Sequence, residues 1–228
     1  KNTGLLAGTV GTAVTTWDHV AEAGSVAEAS GVPKDGNLCY VVNPFTQRKL
    51  ASDQRSLGGE TGSMTANQRA TITENFGGMK VMTASTLASY LTGTGADRAG
   101  TIVGTPVATY EAAKDTMTQV IGVTGFQANL VVAAGETVTV TGRYRLNLAT
   151  REPMIDETGS QVLFTGTVTN TVTLGASGDG NLTITGPALY EANGQYNTVV
   201  AALAASDVVT LGGAADTRIQ PNLFFHRD

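Results

Sequence analysis

The stretch Thr137-Val138-Thr139-Val140-Thr141 alternates hydroxyl and branched apolar residues without a break. A period of two sends one set of side chains to a core and the other to water, the pattern of a half-buried strand. The alternation returns in Leu182-Thr183-Ile184-Thr185, in Val208-Val209-Thr210-Leu211 and from Val168 to Leu174. Between these runs stand Gly/Asp/Asn/Ser clusters, the plainest being Gly175-Ala176-Ser177-Gly178-Asp179-Gly180-Asn181. Such residues supply turn conformations, so Gly178-Asp179-Gly180-Asn181 is expected to be a hairpin connection, in which Gly180 is costly to replace if its φ is positive. The pattern predicts an antiparallel β-barrel or compact sandwich over residues 85–216.

The chain before it has another character. Trp17, Val20, Ala21, Gly24 and Ala27 recur at helical spacing, with Thr16 as the expected N-cap and Asp18 in the first turn. Gly31 and Pro33 end that helix. Asn37 to Val42 reads as a buried strand, and Asn43-Pro44 opens a second helix running to about Asp53. Leu57 to Met64 reads as a loop, Thr65 to Thr71 as a short turn or helix, and Met79 to Thr83 as a strand. Residues 1–14 read as extended or loop, and Thr217 to Phe225 as a closing extended segment. The expected division is therefore 1–84 plus 217–228 for one domain and 85–216 for the other.

Composition narrows the function. With a net charge of −5, 14 Lys and Arg against 19 Asp and Glu, the chain is unsuited to gripping phosphate backbones, which takes clustered cations. A protein that merely surrounds nucleic acid is compatible with it. The single cysteine, Cys39, lies in the apolar run Leu38 to Val42 and reads as a small core residue. No apolar run approaches the ~20 residues of a membrane helix. The start at Lys1 and the stop after Leu223-Phe224-Phe225 suggest a piece of a longer polypeptide.

Residues able to do chemistry are sparse and scattered. His19 and His226 are too far apart in sequence to suggest a metal cluster. Ser63 and Ser177 lie among glycines but lack the spacing of a nucleophile elbow. Gly93-Thr94-Gly95 lacks the third glycine of a dinucleotide fingerprint. These readings leave no catalytic, cofactor-binding or metal residue to name. Arg143, Arg145 and Arg151 form a local basic excess, and alternation puts the first two on one strand face. That face reads as solvated or as pairing with acidic groups of a neighbouring subunit. Asp156-Glu157 is an adjacent carboxylate pair in a loop, which reads as solvated.

Taken in order, several motifs resemble the major coat protein of short-tailed Salmonella-type bacteriophages, a branch of the tailed-phage capsid family. They are Trp17-Asp18-His19-Val20-Ala21-Glu22-Ala23, the strand ending in Asn43-Pro44, and Gly78-Met79-Lys80-Val81-Met82. Ala134-Gly135-Glu136-Thr137 through Gly142 and Gln220-Pro221-Asn222-Leu223-Phe224-Phe225-His226-Arg227-Asp228 complete the set. The resemblance implies an α+β apical part of the capsid fold, interrupted by an inserted antiparallel β-barrel. It also implies a structural role without catalysis or cofactors, in a virion capsid assembled in the bacterial cytoplasm. Other coat subunits are the implied partners, with a scaffolding protein as a candidate, around DNA that is enclosed without sequence-specific binding and without a membrane. Arg143, Arg145, Arg151, Asp156 and Glu157 are then candidate inter-subunit contacts. The spine helix and N-terminal arm of that family have no counterpart here. An independent β-rich module of a phage tail or adhesin, binding carbohydrate or a receptor, is the alternative. It calls for an exposed aromatic cluster, and Tyr190 and Tyr196 are the aromatics near the later turns.

Overall fold

In the computed structural model, which describes residues 4–57, 72 and 74–227, the chain divides into two units. One takes Thr12–Glu28, Val32–Ser89 and Gln220–Asp228; the other takes Lys1–Gly11, Ala29–Gly31 and Tyr90–Ile219. The division at Tyr90 and Ile219 falls a few residues beyond 85 and 216, and two early segments group with the later residues. Ser63, most of the Leu57–Met64 loop and the Thr65–Thr71 turn lie outside the described residues.

The first unit is built on helix α1 (Trp17–Ala29), strand β1 (Leu38–Val42), helix α2 (Pro44–Leu57) and strands β2 (Asn75–Phe76), β3 (Met79–Thr83) and β14 (Leu223–His226). Its sheet runs β14-β1-β3-β2, with β1 and β3 parallel across the α2 crossover and the outer pairs antiparallel. Trp17 anchors the helices: its indole N–H donates to Leu50 O at 3.0 Å and its ring lies 4.6 Å from that of Phe76. The expected cap Thr16 instead pairs with His19 Nδ1 at 3.1 Å, and Asp53 from α2 accepts the Trp17 backbone N–H at 2.9 Å. A carboxylate there also suits the positive end of the helix. Asn43 caps α2 as its position predicts, accepting from the Thr46 N–H at 2.7 Å. Gly24 allows close approach, since a Cβ there would stand 3.0 Å from Gly77 O and 3.3 Å from Met79 Cε. Helix α1 therefore lies on the Met79 side of the sheet.

In the second unit, β5 (Ala99–Val103), β6 (Thr118–Thr124), β8 (Thr137–Tyr144), β9 (Leu163–Val168), β11 (Gly180–Thr185) and β12 (Val208–Leu211) close into a barrel ordered β11-β6-β5-β12-β8-β9. Every pairing in it is antiparallel, and β11 against β9 completes the ring. Alternation decides what fills it: Ile102, Ile121, Val123, Val138, Val140, Phe164, Leu182, Ile184, Val209 and Leu211 all point inward. Closure leaves these strands without a free edge inside the ring. Two small sheets stand beside it, β7 (Val131–Val132) with β10 (Val172–Thr173) and β4 (Tyr90–Leu91) with β13 (Arg218–Ile219). Helix α3 (Tyr110–Ala113) is capped by Thr109, whose hydroxyl accepts from the Ala112 N–H.

Two details differ from the sequence pattern. The run from Val168 to Leu174 is not one strand: Val168 ends β9, and Val172–Thr173 pairs with β7. In the glycine cluster, Gly178 rather than Gly180 has positive φ, at +66°. Gly180 already opens β11, and the turn is held by Gly178 N–H to Gly175 O at 3.0 Å. A Cβ at Gly178 would also sit 1.9 Å from the Phe126 carbonyl oxygen, whereas one at Gly180 meets the end of the Leu174 side chain. Gly178→Ala is therefore expected to destabilise by about 2–4 kcal/mol, from left-handed strain plus the backbone clash. Gly180→Ala is expected to cost less. Urea midpoints of the two variants check the order.

Candidate functional site

Strand β8 ends in a register shift between Val140 and Tyr144, with Gly142 at φ +76° inside it. Such an irregularity breaks the alternation that holds for Thr137 to Thr141. Arg143 and Arg145 consequently do not lie on a solvated face. Arg143 forms a two-point ion pair with Asp207, Nε to Oδ2 at 2.6 Å and Nη2 to Oδ1 at 2.7 Å. Arg145 is buried; its Nη2 donates to Gly4 O at 2.8 Å and to Thr165 O, and its guanidinium carbon lies 5.4 Å from the Phe164 ring centroid. Burial pushes its pKa down to about 10, which leaves it charged at neutral pH.

The remaining candidates stay at the surface. Arg151, at φ +65°, donates from Nη1 to Asn197 O at 3.1 Å. Asp156 organises its own loop, accepting from the Thr158 hydroxyl at 2.7 Å and from the Thr158 and Ser160 N–H groups at 2.9 Å each. The Thr158 hydroxyl, ahead of those backbone donors, holds the Asp156 carboxyl below its usual range. Glu157 is exposed. The structure thus separates the five residues: two are used inside the chain, and three sit in exposed loops.

The ion pairs inside this unit are not marked in the sequence. Asp207 lies 64 positions from Arg143, and nothing nearby marks it. The Arg98–Glu136 pair is deeper still. Glu136 is fully buried and Arg98 nearly so, with Arg98 Nη2 bonded directly to Glu136 Oε2. Glu136 Oε1 also accepts from Gly93 N–H at 3.2 Å and Ala133 N–H at 2.9 Å. Arg98 donates further to Gly93 O and Gly212 O, at 3.4 Å each. One ion pair therefore joins the chain before β5, the turn into β8 and the exit of β12.

Histidine chemistry does not converge. His226 Nε2 lies 3.1 and 3.2 Å from the two Asp35 oxygens, while His19 pairs with Thr16. Among the described residues no group of three or more His, Cys, Asp or Glu could hold a metal ion, and no helix is long and apolar enough to cross a membrane. The aromatic inventory changes, since Tyr110 stacks on Tyr196 with centroids 4.1 Å apart and planes 23° apart. Outside the barrel, Val208 faces Thr101, Val103 faces Gly122 and Val120 faces Thr183, which leaves three exposed valines. What this arrangement offers is surface and rigid support.

The whole chain, residues 1–228, matches the family described as P22 coat protein, gene protein 5, and it belongs to that family. It is 31% identical over 232 residues to the major capsid protein of Acyrthosiphon pisum secondary endosymbiont phage 1. That alignment takes in 100% of this chain and 54% of the relative, so the chain spans about half the length of the relative it matches.

Two outcomes test the polar framework. Glu136→Gln strands the Arg98 guanidinium in the interior and is expected to cost about 3–5 kcal/mol, while Arg98→Met with Glu136→Leu costs much less. A double-mutant cycle in urea measures both. For Asp207, burial pushes the carboxyl up, but the Arg143 hydrogen bond, the Ala204 N–H and the Arg143 charge together hold it below its usual range. Its contribution is therefore full above the unfolded value of about 3.9 and is lost as pH falls through the lower folded value. Asp207→Asn should lower the urea midpoint at pH 7 and flatten its decline below about pH 4.

Proposed function

We propose that these residues form part of the major capsid subunit of an icosahedral, double-stranded DNA tailed phage or prophage. The observation that carries the reading is the family match over all 228 residues, joined to 31% identity with a phage major capsid protein. In this reading the role is structural, not catalytic. Residues 1–84 with 217–228 are the apical portion of the capsid fold, and 85–216 are an inserted barrel that stabilises the subunit or its neighbours. The subunit works in the virion capsid after assembly in the bacterial cytoplasm. Its partners are further coat subunits, with a scaffolding protein as a candidate. Arg151, Asp156 and Glu157, exposed on loops, are the earlier candidates that remain available to a neighbouring subunit.

Charge supports a wall that encloses DNA without gripping it. At −5 the chain has no excess of cations to release counterions from phosphate. The carbohydrate-binding alternative gains no support from the relative; of the exposed aromatic cluster it calls for, the structure shows one stacked pair, Tyr110 and Tyr196, each with its outer ring face at the surface.

The 228-residue chain is expected to stay monomeric or weakly associated, while the complete reading frame forms closed shells. Net negative charge repels copies at low salt, and the rest of the subunit is needed to add interface. Sedimentation velocity at several concentrations and electron microscopy of the complete subunit read the two halves. A complete subunit that forms no shells, alone or with scaffolding protein, overturns the assignment.

A further inference from the structure

The two faces of the β14-β1-β3-β2 sheet are unlike. Met79 and Val81 point to the α1 side, and Tyr40 is aligned with Val81 and Phe224 on that same side. The opposite side has an apolar row across three strands, with Val41 aligned with Leu223 on β14 and with Met82 on β3. Two residues along, Cys39 is aligned with Phe225 and with Lys80. Leu223 is 52% exposed, Phe225 38% and Met82 37%, and Lys80 is exposed beside them. Cys39 is itself buried at 4% and Val41 is half-buried, so the exposed apolar members of this face are Leu223, Phe225 and Met82, set around those two.

Size decides what fits there. Three strands about 4.8 Å apart and two rows about 6.7 Å apart bound the patch at about 200 Å² at most, since Cys39 is already buried and Lys80 is charged. A stable dimer covers about 800 Å² on each partner, so this patch is too small to hold a second copy by itself. A covering segment of the same polypeptide loses no translational freedom on docking, and a patch of this size suffices for it. The relative has nearly half its length outside the matched region, enough to supply one.

We infer that this face is covered, within the complete subunit, by an apolar segment of the polypeptide outside residues 1–228, with a carboxylate opposite Lys80. The inference rests on the coat-subunit reading for the existence of that polypeptide. Because Leu223 and Phe225 lie on an edge strand, the segment docks over the β14 side and across to Met82.

Peroxide oxidation of Met82, followed by peptide mass spectrometry, tests it in the 228-residue chain and in the complete monomeric subunit. The buried Met79 and Met154 serve as slow references. Met82 is expected to oxidise several-fold more slowly in the complete monomer. Leu223→Ser in the complete subunit should return Met82 toward the short chain's rate while Met79 stays slow. Equal Met82 rates in the two monomers, or no response to Leu223→Ser, overturn the inference. Protection that arises only in assembled shells also overturns it and assigns the face to a second copy. Shell formation is scored separately by microscopy, so a complete subunit that shields Met82 but never assembles refutes the coat reading alone.

Discussion

A charged pair sealed inside the barrel unit constrains the chain around it. Removing Arg98 and Glu136 from water costs several kcal/mol per ion, and only good geometry with further hydrogen bonds offsets it. The structure meets much of that condition by bringing backbone to the pair: Gly93 and Ala133 donate to Glu136, and Gly93 and Gly212 accept from Arg98, whose Nε is left without a partner among the described residues. Three stretches distant in sequence must therefore be in register before either charge is satisfied. Thr92 reinforces the same point, with its hydroxyl donating to Ala214 O and accepting from the Thr217 N–H. The strands β4 and β13, where the chain passes into and out of the barrel unit, are thus pinned to each other and to the start of β8.

With its base fixed, the barrel needs little beyond alternation. Thr and Val suit a twisted, half-buried strand because branching at Cβ limits χ1 and fits the pleat. That is why β8, β11 and β12 are legible in the sequence as strands with one buried and one wet face. Strand β5 was not legible, because Gly100 and the flanking Gly104-Thr105-Pro106 argue for a break. Gly100 is in fact required where it stands, since a Cβ would come within 2.4 Å of the Phe126 ring. The sequence offers no sign that an aromatic from the next hairpin occupies that space.

The helical part reads well for a different reason, since caps and periodicity are local. Asn43-Pro44 announces α2 within four residues, and the structure uses Asn43 as that spacing demands. The exception is instructive. Thr16 holds the position before α1, but its hydroxyl pairs with the His19 ring, and the first-turn N–H of Trp17 goes to Asp53 of the second helix. A charged acceptor makes the stronger hydrogen bond, and tertiary packing around Trp17 delivers it. Local rules name the position that needs an acceptor; they do not name the residue that supplies it.

The reading of Arg143 and Arg145 as one solvated face ends at the same boundary between local and distant information. Placing Arg143 and Arg145 on one solvated face assumed that the alternation of Thr137 to Thr141 continues, and the shift between Val140 and Tyr144 ends it. Beyond that point Arg145 becomes a tether, its guanidinium laid over Phe164 and bonded to Gly4 O, to which the Thr165 hydroxyl also donates. A segment at the start of the chain is thereby fastened to the barrel unit by an arginine 141 positions away. An arginine buried in this way contributes most as a geometric lock, because its planar fork has few arrangements that satisfy it. The basic residues that looked most available for contact outside the chain are those that hold it together.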